Sequence, residues 1–132
     1  HMTAWGGGSS FAEYAIHPIE LIVSCMGVDA ISLMRRGNGE HSQLLINFSR
    51  NRTATANVDV AGDTPFMAVM TTAKQTRSLT LSLDEIFIDN AAAVLDLFET
   101  NKPNIDRQET LMIRRILDVA EEAKALEGFI PL

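Results

Sequence analysis

Four carboxylates share one face of a predicted helix in the last third of the chain. They are Glu85, Asp89, Asp96 and Glu99. Because residues three, four or seven positions apart lie on the same side of a helix, these side chains form one acidic stripe. Such a stripe favours recognition of a basic protein partner, whereas a Ca²⁺ or Mg²⁺ site needs ligands that converge from more than one element. The simpler interpretation is a solvated face, opposite an apolar face formed by Phe87, Val94, Leu97 and Phe98.

Six cations form the second group of candidate residues, in this case for an anionic ligand. They are Arg35, Arg36, Arg50, Arg52, Lys74 and Arg77. Arg50 and Arg52 lie two residues apart, so on a strand they would share one face. If the sheet brings all six to one end, they would hold the phosphate or carboxylate of a metabolite or nucleotide. The alternative is a solvated or salt-bridged sheet edge, where charge prevents mispairing.

Residue arrangements that are typical of catalysis are missing from the sequence. His17 and His41 follow no zinc-binding spacing. Cys25 lies in an apolar run, where we expect a buried, inert thiol rather than a nucleophile paired with His41. The glycine run at 6–8 has no predicted strand before it and lacks the Gly-Lys-Ser/Thr ending of a phosphate-binding loop. We therefore predict no catalytic residue, no metal site and no cofactor.

The surplus negative charge of the chain is concentrated in its C-terminal part. The 132 residues have a net charge of −6 and a pI near 4.9. From Leu81 onward there are eleven acidic residues against five basic ones, whereas the first eighty residues hold six of each. This balance argues against sequence-independent binding to DNA or to an anionic membrane. Because Cys25 is the only cysteine, no internal disulfide is possible, which favours a cytoplasmic location.

The first sixty residues predict a tail, a short helix and several strands. Residues 1–9 are predicted to be a flexible tail whose first two residues have the character of a tag remnant, and residues 10–132 a single domain. Ser10 and Glu13 have capping-box spacing, which predicts a short helix that ends before Pro18. Apolar and polar residues alternate over 44–49 and 53–60, which predicts strands, and Gly-Asn-Gly-Glu at 37–40 predicts a hairpin loop. Asn51 is predicted to turn the chain again.

The segment 19–34 permits two interpretations. Its apolar residues fit either two short strands or one helix, and Gly-Val-Asp at 27–29 is only a modest turn signal. We favour the two strands, which would make this segment part of the sheet.

The remainder of the chain predicts three helices and one more strand. The sequence Gly-Asp-Thr-Pro at 62–65 predicts a helix start, with one apolar face over 66–73. Alternation over 78–82 predicts a strand, and Ser82 with Glu85 predicts the capping box of a helix that extends to about Thr100. Asn104 is predicted to cap a long final helix that ends near Leu126 and carries a broad apolar stripe.

These elements predict an α+β fold, with an antiparallel sheet of four to five strands covered on one face by two long C-terminal helices and one shorter helix. Charge segregation and the missing catalytic patterns favour a non-enzymatic acidic interaction protein, of the adaptor, chaperone or inhibitor type, that meets its partner through the acidic stripe. The alternative is a small-molecule sensor that uses the six cations. The apolar surface left over by the helices favours a homodimer.

Overall fold

The computed structural model describes all residues, 1–132, as one seven-stranded sheet with helices on one of its faces. The strands are β1 (Met2–Gly7), β2 (Ala30–Gly37), β3 (His41–Phe48), β4 (Arg52–Asp59), β5 (Met67–Thr71), β6 (Thr76–Thr80) and β7 (Ile130–Pro131). The helices are α1 (Phe11–Tyr14), α2 (Ile16–Met26), α3 (Ile86–Thr100) and α4 (Arg107–Ala120), and a 3-10 helix spans Ala123–Leu126. The predicted α+β class is confirmed, but the sheet is larger than the predicted four to five strands.

The strand order is β6-β5-β1-β4-β3-β2-β7. Neighbouring strands are antiparallel except for β1 and β4, which pair in parallel over the whole length of β1. The prediction of a flexible tail over residues 1–9 is therefore wrong. Met2 and Ala4 are fully buried beneath the helices, so the first residues of the chain form the centre of the sheet and belong to its core.

The glycine run at 6–8 permits a close approach between β1 and the chain on both sides of it. A Cβ atom on Gly7 would overlap the carbonyl oxygen of Asp59, and one on Gly8 would overlap the ring of Tyr14. At Gly6 the same atom would lie 3.0 Å from Pro18 and 3.1 Å from the Phe66 ring. These glycines are thus required by packing, and they allow α1 and α2 to begin directly against the end of β1.

The segment 19–34 is half helix and half strand, so neither interpretation from the sequence was right for all of it. Helix α2 buries Ile19, Ile22 and Val23 against β1 and β4, and Gly27 ends the helix with a positive φ of 90°. Strand β2 then begins at Ala30. Helix α1 begins as predicted, because the Ser10 hydroxyl accepts the Glu13 backbone N–H at 3.3 Å. Pro18, however, lies in the first turn of α2, where the proline nitrogen needs no donor, so it does not end the helical region.

The hairpin and strand predictions for the middle of the chain are confirmed. Strands β2 and β3 are joined by the turn at 38–40, where the side chain of Asn38 accepts the backbone N–H groups of Glu40 and His41. Alternate residues of β4 are buried, as the sequence pattern predicted. The turn at Arg50 and Asn51 uses two left-handed residues, each with a φ of 57°.

The helix predicted after Pro65 is wrong, because residues 67–71 form strand β5. This strand pairs antiparallel with β1 on one side and β6 on the other, with Ala4 opposite Ala68. Strand β4 pairs with only one side of β1, so the other side is free to form backbone hydrogen bonds with residues 67–71. These bonds stabilise an extended strand there, despite the local helix-start signal. The predicted strand over 78–82 lies two residues earlier, as β6.

Helix α3 ends at Thr100 as predicted, but it begins at Ile86, later than a Ser82 cap implies, and it does not have the predicted packing. None of its residues is buried, and the side chains of Phe87 and Phe98 are 85% and 80% exposed. The apolar face that was expected to cover the sheet is therefore open to solvent. Ser82 does not cap this helix, since its hydroxyl contacts Asp84 instead.

Helix α4 takes the covering position next to α2. It buries Ile116, Val119 and Ala120, and it contacts α2 and β2. Its cap is Asp106, which accepts the Gln108 N–H at 2.8 Å, and not the predicted Asn104. The helix ends at Ala120, and the 3-10 helix replaces its predicted last turn. None of the helices combines the length and the apolar character that crossing a bilayer requires.

Candidate active-site cleft

One edge of the sheet brings together the loops that follow β1 and β4. Since these two strands are parallel, both chains leave the sheet at the same edge, where α/β proteins commonly form their ligand sites. The β1 loop leads into α1 and α2, which carry Tyr14 and His17, and the β4 loop leads to Phe66. The close packing at Gly6 and Gly8 sets the positions of Phe66 and Tyr14 on either side of His17.

The imidazole of His17 is held by aromatic and acidic neighbours but remains accessible. Its ring centroid lies 5.0 Å from that of Phe66 and 5.7 Å from that of Tyr14, and both contacts are edge-to-face. Its Nδ1 lies 3.6 Å from a carboxylate oxygen of Glu20, and the side chain is 45% exposed. These contacts orient the ring and leave Nε2 available, so the imidazole can exchange a proton with a bound molecule.

His17 opens into a cleft of about 490 Å³, which is within the size range of small-molecule sites. Seven of its ten lining residues are hydrophobic. They include Leu21 and Phe66 from the body of the fold and Ile86 and Phe87 from the start of α3. An apolar cleft with one accessible imidazole suits a small organic molecule that presents a hydroxyl or carbonyl oxygen to His17.

Glu13 lies four residues before His17 and has a structural role. Ser9 and Ser10 both donate hydrogen bonds to its carboxylate. These bonds stabilise the ionised form and lower the pKa of Glu13 below its ordinary value. The carboxylate therefore keeps the glycine-rich loop and α1 together at physiological pH.

His41 forms a second His–carboxylate pair at the same edge of the sheet. Its Nδ1 lies 2.9 Å from the Asp59 carboxylate, which also accepts the Thr64 hydroxyl at 3.5 Å. The His41 side chain is 63% exposed and does not line the cleft around His17. Cys25 is exposed rather than buried as predicted, and it lies near the end of α2, beside Met70 and Thr72. Cys25 and His41 therefore belong to different regions of the molecule.

The strand pairing does not bring all six predicted ligand-binding cations to one end of the sheet. Arg50, Arg52, Lys74 and Arg77 lie toward the end where β4 begins, and Arg35 and Arg36 lie toward the opposite end. Arg35 stacks on the Phe11 ring at 3.7 Å, and its burial lowers its pKa, partly offset by the charge of Glu121. Arg52 forms two hydrogen bonds of 2.5 Å to the Asp29 carboxylate and one of 2.6 Å to the Met26 carbonyl. The others lie on separate elements: Arg36 on β2, Arg50 in the β3–β4 turn, Lys74 in the β5–β6 turn and Arg77 on β6.

The acidic stripe is exposed along α3 and at its start. Asp89, Asp96 and Glu99 lie on the helix, and Glu85 is its first flanking residue. No salt bridge joins any of the four to another residue of the chain. Their role in binding a partner stays a prediction.

Sequence reasoning missed Tyr14, His17 and Phe66 as a group. The glycine run and the helix that follows it were a usable signal, since the run forms the end of strand β1. That strand has no recognisable pattern, because residues 3–8 contain only small residues and one tryptophan. Phe66 was assigned to a helix face, so its contact with His17 could not be anticipated.

No family model matches the sequence, and no curated protein matches it significantly. Two solved structures share the fold. One is a protein assigned as an NADPH-dependent oxidoreductase from Desulfitobacterium hafniense, with a TM-score of 0.71 and 11% identity over 98% of this chain and 56% of its own. The other is a variant of the 3-ketoreductase KijD10 from Actinomadura kijaniata in complex with TDP-benzene and NADP, with a TM-score of 0.64 and 10% identity over 90% of this chain and 50% of its own. This chain thus spans about half the length of each, and the likeness concerns the fold.

These likenesses overturn the prediction of an adaptor, chaperone or inhibitor, and with it the small-molecule sensor. Both solved structures with this fold are described by an oxidoreductase or ketoreductase activity. The sequence patterns behind that prediction detect only local motifs, whereas the His17 cleft is assembled from α1, α2, the β4–β5 loop and α3.

The glycine run of this chain does not fit the phosphates of a nicotinamide dinucleotide. The space that a pyrophosphate would need beside it is filled by the Asp59 backbone and the Tyr14 ring. Among the cations, Arg52 is already paired with Asp29, and Arg35 lies over the Phe11 ring.

Proposed function

We propose that this chain is the substrate-binding part of a reductase that acts on the carbonyl or hydroxyl group of a small organic molecule. The observation that carries the proposal is the fold likeness over 98% of the chain to a protein assigned as an NADPH-dependent oxidoreductase. The neighbour that is a 3-ketoreductase adds a carbonyl as the chemical class of the substrate. The cytoplasmic location predicted from the lone Cys25 belongs to this proposal as well.

The cleft supplies the proton chemistry that such a reaction needs. When a carbonyl becomes an alcohol, its carbon receives a hydride and its oxygen receives a proton. His17 would give that proton from Nε2, since Nδ1 faces Glu20. Tyr14 and Phe66 would hold the imidazole in one orientation, so that little reorganisation is needed when the substrate oxygen arrives. A nicotinamide cofactor would supply the hydride.

The test compares His17 with the second histidine of the same sheet edge. A panel of small ketones and alcohols is titrated into the chain, and the imidazole signals are followed by NMR. We expect a ligand of the cleft to shift the His17 signals and leave those of His41 unchanged, and His17→Gln to weaken binding while His41→Gln does not. In a reductase that contains this chain, His17→Gln should lower kcat by about 10²- to 10⁴-fold, the usual contribution of a general acid.

Binding that persists unchanged in His17→Gln, or ligands that shift only His41, would refute the assignment of the cleft. Because His17 is partly exposed, the glutamine variant is expected to fold normally, and its unfolding curve serves as the control.

We also propose that two copies of the chain pair through the face of the sheet that faces away from α2 and α4. Trp5 lies near the centre of this face, between Asn57 of β4 and Met67 of β5. Its neighbours are partly exposed, and they combine apolar side chains such as Leu45 and Val69 with uncharged polar ones. An open sheet face of this kind suits an isologous contact, in which the same patch is used by both copies.

A further inference from the structure

Helix α3 presents an apolar face that nothing in the chain covers. The face follows the helical period and consists of Phe87, Ala91, Val94, Leu95 and Phe98. The two phenylalanines are 85% and 80% exposed and Leu95 is 63% exposed. Monomeric proteins seldom leave so many large apolar side chains together in water. A helix of about 15 residues without tertiary packing is also only marginally stable, so α3 needs a partner surface.

The apolar face of α3 continues into the His17 cleft. Ile86 and Phe87 form one wall of that cleft, opposite Tyr14, His17 and Leu21. A partner domain that packs on Phe87 and Phe98 would therefore lie beside the opening of the cleft. It would exclude water from His17 and bring a second reactant to the same space.

The solved neighbours indicate what kind of domain this is. Both are described as nicotinamide-dependent reductases or bind NADP, and this chain accounts for only 56% and 50% of their lengths. Roughly half of each protein therefore lies outside the matched fold. In this chain the space beside the glycine run is filled by protein atoms, so that loop does not offer a site for the phosphates of such a cofactor.

We infer that the apolar face of α3 docks onto a nicotinamide-nucleotide-binding domain, and that this contact completes the His17 cleft. The inference rests on the proposed reductase function for the nature of the partner. It adds the surface that is used and the residues that make the contact, Phe87, Val94, Leu95 and Phe98.

The experiment is site-specific photo-crosslinking. The photoreactive residue p-benzoylphenylalanine is placed at position 98 or, in the matched control, at position 96 on the acidic face of the same helix. The chain is irradiated in a lysate of the organism that encodes it, and crosslinked peptides are identified by mass spectrometry. We expect position 98 to crosslink to a polypeptide that has a dinucleotide-binding fold and binds NADPH when purified, and position 96 to give at least tenfold less of that product.

The double variant Phe87→Ser/Phe98→Ser should abolish this complex, while Asp89→Asn/Asp96→Asn should retain it. Since no residue of α3 is buried, both variants are expected to keep the fold, which their unfolding curves will verify. A crosslink to a second copy of the chain, to the sheet of the same chain or to a protein without a nucleotide site would overturn the inference, as would the absence of any crosslink. The outcome does not depend on His17, so a failure of the cleft in the His17→Gln test is distinguishable from a failure of docking.

Discussion

At the scale of single residues, the most consequential feature is how little space surrounds the end of β1. The backbone at Gly7 runs against the carbonyl of Asp59, and Gly8 runs against the ring of Tyr14. Tyr14 in turn contacts His17, the candidate proton donor. Because Gly7 and Gly8 have no Cβ atoms, the chain can pack closely enough to set the position of His17. Residues that touch no ligand thus set the geometry of the cleft.

We expect Gly7→Ala to destabilise the protein by about 1–3 kcal/mol or more, because the new methyl group meets a backbone oxygen that cannot rotate away. The matched control is Gly39→Ala, where the added atom meets nothing within 4 Å and the change should stay within about 0.5 kcal/mol. Urea denaturation of both variants measures the difference. Equal stabilities would show that the loop is looser than this packing implies.

Asp29 provides a prediction about pH. Hydrogen bonds from Ser49 and from Arg52 stabilise its carboxylate, and they lower its pKa below the ordinary value of 3.8. A lowered pKa in the folded state means that the stabilisation is complete above the unfolded value and is lost as the pH falls through the folded value. The thermal midpoint of Asp29→Asn should therefore lie below that of the unchanged protein at neutral pH, and the gap should close as the pH falls below about 4.

The control for this experiment is Asp63→Asn, since Asp63 is exposed and forms no side-chain hydrogen bond or salt bridge. Its midpoint should follow that of the unchanged protein at every pH. A difference in thermal midpoint between Asp29→Asn and the unchanged protein that does not vary with pH would mean that the charge of the Asp29 carboxylate does not contribute to stability.

At the scale of elements, the two long C-terminal helices differ in what holds them. Helix α4 buries Ile116 and Val119 against α2 and the sheet, whereas α3 buries nothing. Both helices have clear apolar periodicity in the sequence, so the pattern alone assigned both to the core. Only one of the two helices packs on the sheet, because α2 and α4 together already cover that face.

We expect Ile116→Ala in α4 to cost about 2–5 kcal/mol, as for other fully buried aliphatic side chains. Phe98→Ala in α3 removes a larger side chain, yet it should change stability by less than about 0.5 kcal/mol, because that side chain is 80% exposed. Urea denaturation of the two variants checks the contrast. A comparable loss for Phe98→Ala would mean that α3 packs on the body of the chain in solution.

At the scale of the whole molecule, the sheet has one face covered by helices and one face that remains open. Trp5 lies in the middle of the open face, which is an unusual position for the only tryptophan of a monomer. Aromatic residues in such a position commonly carry much of the binding energy of an interface. This is the physical basis for the proposed homodimer.

The homodimer predicts a mass of two chains in native mass spectrometry, and Trp5→Arg should convert it to a single chain by placing two cations at the centre of the contact. The double variant Phe87→Ser/Phe98→Ser serves as the comparison and should remain dimeric, because α3 lies outside this face. A single chain observed for the unchanged protein at micromolar concentration would exclude the dimer.

Some features of this protein were determined by the sequence alone. The Ser10 cap, the Gly-Asn-Gly-Glu hairpin and the alternation of β4 each depend on residues within about ten positions of one another. Local hydrogen bonds and side-chain periodicity decide such features, so they hold in almost any tertiary setting. The apolar stripe of α4 could be predicted for the same reason. None of these features identifies the cleft.

Other features were decided only by the tertiary structure. Residues 2–7 are a strand because β4, about fifty positions later, offers a parallel partner, and residues 67–71 are a strand because β1 then offers its other edge. Pairing over such distances leaves no local pattern, and it overrode both the glycine signal for a tail and the proline signal for a helix. The cleft followed from those pairings, since they bring His17, Tyr14 and Phe66 together. The sequence patterns could therefore not reveal this cleft, because it depends on the pairing of β1 with β4 and β5.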